Sequence, residues 1–132
     1  METPHSNHYL ALSGGVGGAK LVLGLSCVLA PDQMTVVANT GDDFEHLGLN
    51  ICPDVDTVLY TLADWNNKEL GWGQAEESWN FLGALKRLGG EDWFSLGDRD
   101  MATHILRTQL LGAGASLSEV IEQLSAKMNI AH

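Results

Sequence analysis

Positive charge is the scarcest commodity in this sequence. Seven lysines and arginines stand against seventeen aspartates and glutamates, giving a formal net charge of −10 over 132 residues. That excludes sequence-independent nucleic-acid binding, which needs a basic footprint. Two cysteines, Cys27 and Cys52, are too few for a disulfide framework. Cys27 lies in an apolar, helix-like run and reads as a buried, inert thiol. No run approaches the ~18 apolar residues of a membrane-spanning helix. Residues 1–8 lack the basic and apolar regions of a secretory signal, so they read as a disordered tail and the expected location is cytoplasmic. Charged residues make up 18% and hydrophobic residues 45%, a globular composition, and the length suits one domain.

What is present is organised by glycine. Tyr9-Leu10-Ala11-Leu12 is a short apolar run that enters Ser13-Gly14-Gly15-Val16-Gly17-Gly18. It reads as a buried strand and a tight loop, followed by a helix over 19–29. Residues 34–39 form a β-branched run and read as a second strand. Strand, helix and strand within one short stretch make a βαβ unit with parallel strands. Residues 47–52 suggest a short extended segment, stopped by Pro53. Asp54 or Asp56 is then placed to cap a helix running to Ala63. Residues 65–73 read as a polar loop. Residues 75–88 have helical spacing, with Trp79, Leu82, Leu85 and Leu88 on one side and Gly89-Gly90 as the stop. Asp98 is placed to cap a helix to about Leu111, and Ser116-Leu117-Ser118-Glu119 is a capping-box pattern opening a last helix. Two strands among so many helices make a thin sheet, so further strands are missing from this reading or belong to a larger domain.

Three groups of residues carry chemistry. Glycines 14, 15, 17 and 18 leave backbone N–H groups open to an anion, and the following helix points its positive end there. The loop matches neither a Walker loop nor a full dinucleotide fingerprint, since Lys20 stands where the last glycine would be. Its plain alternative is a tight turn. Asp42-Asp43 at one strand end and Asp54, Asp56 after a proline offer oxygens to a hard cation, or serve as turn and cap residues. A divalent cation would also answer how so acidic a chain holds phosphate. Arg99, Thr103 and Arg107 share a helix face at i, i+4, i+8, which suggests anion recognition by guanidinium forks, with Ile105, Leu106 and Leu110 on the buried side. The alternative is a solvated face on which Asp100 pairs with Arg107 or His104.

Taken in order, several segments resemble the 2-phospho-L-lactate transferase family of deazaflavin coenzyme (F-420) biosynthesis. They are residues 13–20, Asn39-Thr40-Gly41-Asp42-Asp43, Cys52-Pro53-Asp54-Val55-Asp56-Thr57, Trp72-Gly73, and Leu96-Gly97-Asp98-Arg99-Asp100-Met101-Ala102-Thr103-His104. The resemblance implies an α/β, Rossmann-like parallel sheet with flanking helices, of which residues 9–132 are the N-terminal part, since family members are more than twice as long. It implies transfer of a phospho-three-carbon acid (lactyl, enolpyruvyl or glyceryl) from a guanosine diphosphate-linked donor to the terminal hydroxyl of the deazariboflavin Fo, with release of GMP. It implies magnesium at Asp42, Asp54 and Asp56. Catalytic roles fall on Asp56 and Arg99. Substrate contacts fall on Gly14, Gly15, Gly17, Gly18, Lys20, Asn39, Asp43, Asp98, Arg99 and His104. The partners are then small molecules rather than nucleic acid or membrane, with homo-oligomerisation left open. The alternative is a non-catalytic nucleotide-sugar-binding regulator of a sister family that shares the fold and the loop.

Overall fold

A computed structural model describes residues 7–132, so most of the tail expected over 1–8 lies outside the described residues. The chain runs β1 (Tyr9–Ser13), α1 (Gly15–Ser26), β2 (Met34–Ala38), β3 (Phe44–His46), β4 (Leu49–Ile51), α2 (Pro53–Leu62), α3 (Asn80–Arg87), α4 (Asp98–Gly112) and α5 (Leu117–Lys127), with a 3-10 turn at Pro31–Gln33. β1 and β2 pair in parallel, with Ala11 opposite Val36 and Ser13 opposite Ala38. This is the expected βαβ unit, flanked by helices. Among the described residues, no helix is long and apolar enough to cross a membrane.

α2 is the organising element. Seven of its ten residues are buried, including Asp54, Asp56, Tyr60 and Thr61. One side joins Val58 to Ala11, Ala19, Val22 and Met34, which locks α1 and the sheet together. The other side joins Val55, Leu59 and Tyr60 to Val120 and Leu124 of α5 and to its C-cap Met128. A helix buried all round cannot leave its polar groups unpaired. Those groups define the site described below.

Several elements depart from the sequence reading. β3 was not expected. It forms a hairpin with β4 through the two-residue turn Leu47-Gly48, both at positive φ (54° and 74°). Leucine is rarely placed there, so no Asn-Gly or Asp-Gly signal marks the hairpin. α1 begins at Gly15 rather than Ala19, so the glycine loop is mostly the helix's first turn. Neither Asp54 nor Asp56 caps α2, whose N-cap is Cys52 with no side-chain bond. α3 is shorter than expected and has no buried residue, and Trp79 and Leu88 are exposed. Ile105 and Leu106 of α4 are exposed too, while Thr103, His104 and Arg107 face inward. Cys27 is exposed and Cys52 is the buried thiol. The capping box at Ser116 forms as expected, with Ser116 and Glu119 bonding each other's backbone N–H.

Candidate functional site

The glycine turn lies at the carboxyl end of β1. Gly15 sits at φ +64°, a conformation other residues adopt with strain. Its N–H donates to Asp54 Oδ1 at 2.9 Å. Asp54 Oδ2 accepts from Asn39 Nδ2 at 2.7 Å, and the same amide donates to Asp42 Oδ2 at 2.9 Å. Asn39 Oδ1 in turn accepts the Gly41 N–H at 3.0 Å. Asn39, just beyond β2, therefore gathers Asp42 and Asp54 beside the start of α1. Asp54 occupies the first anion position of that helix, where the macrodipole favours negative charge.

The two inner glycines do different work. A Cβ on Gly18 would fall 2.6 Å from Ser13 Oγ and 3.0 Å from the Ser13 backbone, whereas one on Gly17 meets nothing within 4 Å. Gly18 thus permits the close approach of α1 to β1, and Gly17 leaves its space open to the outside. Gly18→Ala should lower stability by about 1–2 kcal/mol, overpacking offset in part by helix propensity. Gly17→Ala should instead raise stability by up to ~1 kcal/mol. Urea denaturation of the two variants checks this, and equal midpoints would contradict the packing role of Gly18.

A second cluster lies on the other side of α2. Asp56 and Tyr60 project from α2 to meet Asp100, His104 and Arg107 from α4. Arg107 is wholly buried and forms an ion pair through Nη2 with Asp56 Oδ1. Its Nη1 donates to the Asn50 carbonyl at 3.1 Å and to His104 Nδ1 at 3.3 Å. A guanidinium only donates, so the His104 proton resides on Nε2, which donates to Asp100 Oδ2 at 3.0 Å. The Tyr60 hydroxyl donates to the other oxygen of Asp100. Asp56 Oδ2 and Arg107 Nε are the exceptions, both buried and without a hydrogen-bond partner.

Electrostatics follow from this burial. Desolvation pushes the Asp56 carboxyl up to about 6, with Arg107 and His104 pulling the other way. Burial opposes charge on Asp100 as well, but its bond to His104 holds the carboxyl below the ordinary range. Burial and the two neighbouring carboxylates raise the Tyr60 hydroxyl, so it stays a donor. Asp56, Asp100 and His104 each place an atom within 4.8 Å of the others, but with both His104 nitrogens committed to Arg107 and Asp100 the three make an ion-paired cluster.

Asp56, Tyr60, Asp100 and His104 line a cavity of about 370 Å³ together with Trp72, Trp93 and Phe94. Phe94 packs edge-on against Phe44 at 5.2 Å, and Trp93 against His46 at 4.9 Å. The opening therefore combines flat aromatic rings with carboxylates.

The Gly97-Asp98-Arg99-Asp100 segment divides its labour. Asp98 caps α3 rather than its own helix, accepting from Asn80 N at 3.0 Å and Phe81 N at 2.9 Å. Those bonds, led by the one from Ser78, lower its carboxyl to about 2. Glu77 reciprocates by capping α4, accepting from Arg99 N at 2.7 Å and Asp100 N at 3.1 Å. A side chain on Gly97 would overlap the Glu77 carboxylate.

The structure therefore sorts the expected site residues into separate places. Gly14, Gly15, Asn39, Asp42 and Asp54 meet at the glycine turn. Asp56 and His104 meet in the second cluster, so Asp56 does not join Asp42 and Asp54 in one donor set. Asp43 turns toward Cys52 and Leu117, where one carboxylate oxygen is buried and unpartnered. Arg99 is exposed beside Glu76 at 3.7 Å, apart from Arg107. Asp98 is committed to capping, and Lys20 is exposed on α1. Tyr60 and the aromatic wall were missed as site residues; Arg107 was expected on an anion-recognising face with Arg99, and the alternative pairing of Asp100 with His104 is the one that forms. The signal of the cluster was the paired i, i+4 spacing of Asp56 with Tyr60 and Asp100 with His104.

A βαβ unit with a glycine turn and carboxylates gathered at the ends of its parallel strands defines a Rossmann-like α/β protein, with its site where such sheets place ligands. The family model for 2-phospho-L-lactate transferase CofD matches residues 10–132, and the chain belongs to that family. It is 50% identical over 122 residues to a phosphoenolpyruvate transferase of Kitasatospora aureofaciens, covering 91% of this chain and 38% of that protein. It is 50% identical over 116 residues to the phosphoenolpyruvate transferase of Streptomyces avermitilis, covering 87% and 36%. The phosphoenolpyruvate transferase of Mycobacterium tuberculosis is 45% identical over 127 residues, covering 86% and 38%. The chain thus spans well under half the length of these curated relatives.

Proposed function

We propose that this chain forms the acceptor and metal side of a transferase that moves a phosphoenolpyruvyl unit from a guanosine diphosphate-linked donor to the terminal hydroxyl of Fo, releasing GMP. The names of the relatives favour the enolpyruvyl form among the three-carbon acids. The observation that carries the reading is Asp56 Oδ2. It is a buried, unpartnered carboxylate oxygen on a residue that lines a cavity also lined by three aromatic rings. Trp72, Trp93 and Phe94 suit a flat ring, and Asp56 suits the hydroxyl that the ring's tail presents.

The acceptor hydroxyl must lose a proton as its oxygen bonds to phosphorus. Asp56, raised to about 6 yet ionised at neutral pH, is matched to take it. Arg107 holds the carboxylate by its other oxygen, which leaves Oδ2 free of a hydrogen bond, 3.6 Å from His104 Nδ1. At the glycine turn, the oxygens of Asp42 and Asp54 suit magnesium, which typically takes one or two carboxylates plus substrate phosphates. When bound, magnesium would offset the charge between the donor diphosphate and an acidic chain. The amides of Val16 and Gly17, in the first turn of α1, have no intrahelical carbonyl partner one turn back, whereas that of Gly18 bonds the Gly14 carbonyl at 3.3 Å.

The test supplies the donor, Fo and magnesium and measures GMP. The 132-residue chain is assayed alone and with a polypeptide corresponding to the rest of a relative's length. GMP release that requires Fo and magnesium is expected in the second arm. Tight donor binding with no turnover in either arm would favour the regulator reading.

A further inference from the structure

Trp93 and Phe94 line the cavity from a stretch with little hold of its own. Among the described residues, no backbone hydrogen bond reaches residues 91–96. Asp92 meets Lys86 at the surface, at 3.7 Å, and Trp93 is 66% exposed. The two rings rest instead on the β3–β4 hairpin. Phe44 and His46 lie two apart on β3 and so share a face. Phe44 stands 5.7 Å from Trp93 and 5.2 Å from Phe94, and His46 stands 4.9 Å and 5.8 Å from the same rings. The hairpin is in turn fixed to α4: the Asn50 N–H donates to Thr108 Oγ1 at 2.8 Å, and the Asn50 carbonyl accepts from Arg107.

His46 is the anomaly in this cluster. It is 3% exposed, yet neither ring nitrogen makes a hydrogen bond. Nε2 is buried and unpartnered, and Nδ1 stands 3.9 Å from Glu91 Oε2, beyond hydrogen-bond reach. A buried nitrogen without a partner is destabilising, so an aliphatic side chain would fill this place at lower cost. What an aliphatic chain lacks is the ring. The imidazole plane stands at 69° to Trp93 and 73° to Phe94, the edge-to-face arrangement, which fixes orientation as aliphatic packing does not. We propose that His46 is a positioning residue of the cavity: its ring sets the orientation of Trp93, and with it the surface on which the flat ring of the acceptor lies. This role rests on the reading of the cavity as the place of Fo.

His46→Leu keeps an apolar side chain and removes the ring. His46→Phe keeps a ring and removes the nitrogens. Both are made in the 132-residue chain, and circular dichroism and melting temperature should hold in each, because each loses the unpartnered nitrogen. Nuclear Overhauser contacts between the Trp93 indole and the Phe44 ring are then read without ligand. They are expected to persist in His46→Phe and to fade in His46→Leu. In a titration with Fo, affinity should weaken about 2- to 10-fold in His46→Leu and less than about 2-fold in His46→Phe, the span of one aromatic pair. A His46→Leu chain that keeps the Trp93–Phe44 contacts overturns the proposal, since filled space then suffices. So does one that unfolds, since the role is then packing. A His46→Phe chain that loses the contacts overturns it as well, since the nitrogens then act rather than the ring. If the parent chain shows the contacts but binds no Fo, the reading of the cavity fails, and the ligand-free contacts still decide the role of His46.

Discussion

Replacing Arg107 with alanine should cost about 3–5 kcal/mol, the range for removing one partner of a buried ion pair. A domain of this size is stable by roughly 5–15 kcal/mol, so the variant should sit near the edge of folding. The loss has three parts: Asp56 keeps a buried charge without its counter-ion, the Asn50 carbonyl loses a donor, and His104 loses the partner that fixes its tautomer. The deficit should depend on pH in a defined direction. Asp56 already holds its proton more tightly when folded than when unfolded, with a value of about 6 against an ordinary 3.8. Its ionisation therefore erodes stability as pH rises from about 4 through 6. Without Arg107 the carboxyl is raised further, and at pH 5 it can escape the penalty by protonating. The Arg107→Ala deficit should thus be smaller at pH 5 than at pH 8. Paired guanidinium chloride titrations at the two pH values measure it, and the double variant Arg107→Met, Asp56→Leu should recover most of the loss. A single-variant cost below about 1 kcal/mol would mean that the pair is effectively solvated.

The second large effect concerns chemistry. Asp56→Asn preserves shape and leaves an oxygen to accept from Arg107, so the fold should survive with a modest loss. The amide cannot take a proton from an acceptor hydroxyl. In the complete transferase, kcat should fall by about 10²–10⁴-fold, the usual contribution of a positioned base, while donor KM stays close to its original value. Asn39→Ala gives the contrast. It frees Asp42 and Asp54 at the glycine turn, and its effect should appear in donor KM and in the magnesium requirement. If Asp56→Asn turns over within a few-fold of the parent, Asp56 serves only as the counter-ion of Arg107, and the acceptor hydroxyl must be activated elsewhere.

The parallel strands were legible because their apolar runs are short, β-branched and closed by a glycine turn or a polar strand end. The Ser116 capping box was legible because both partners lie within one turn. The β3–β4 hairpin was hidden by Leu47, whose positive φ goes against its own preference. α4 was misread for a different reason. Periodicity identifies a face but not which side is inside, and apolar residues were assumed to be inward. In α4 the inner face is Thr103, His104 and Arg107, because α2 presents Asp56 and Tyr60 to it. Two arginines on one stripe consequently have opposite fates: Arg107 is buried and Arg99 faces solvent. Of the four expected aspartates, Asp42 and Asp43 follow β2 and Asp54 and Asp56 lie in the first turn of α2. Their partition could not be read, since residues two apart on a helix point to nearly opposite sides. Asp54 therefore looks to the glycine turn and Asp56 to the cavity.

The exchange of caps between α3 and α4 has a consequence for how this part of the chain forms. Glu77, just ahead of α3, closes the first turn of α4, and Asp98, the first residue of α4, closes the first turn of α3. Neither helix carries its own N-terminal lock, and α3, at eight residues, is too short to persist unaided in water. The two should appear and melt as a single cooperative unit, with the intervening segment 88–97 anchored at both ends. Trp93 and Phe94 belong to that segment. The Trp93–Phe94 part of the cavity lining is thus held by a pair of carboxylates that do not line the cavity themselves, and a mutation at either one would reshape that lining from a distance.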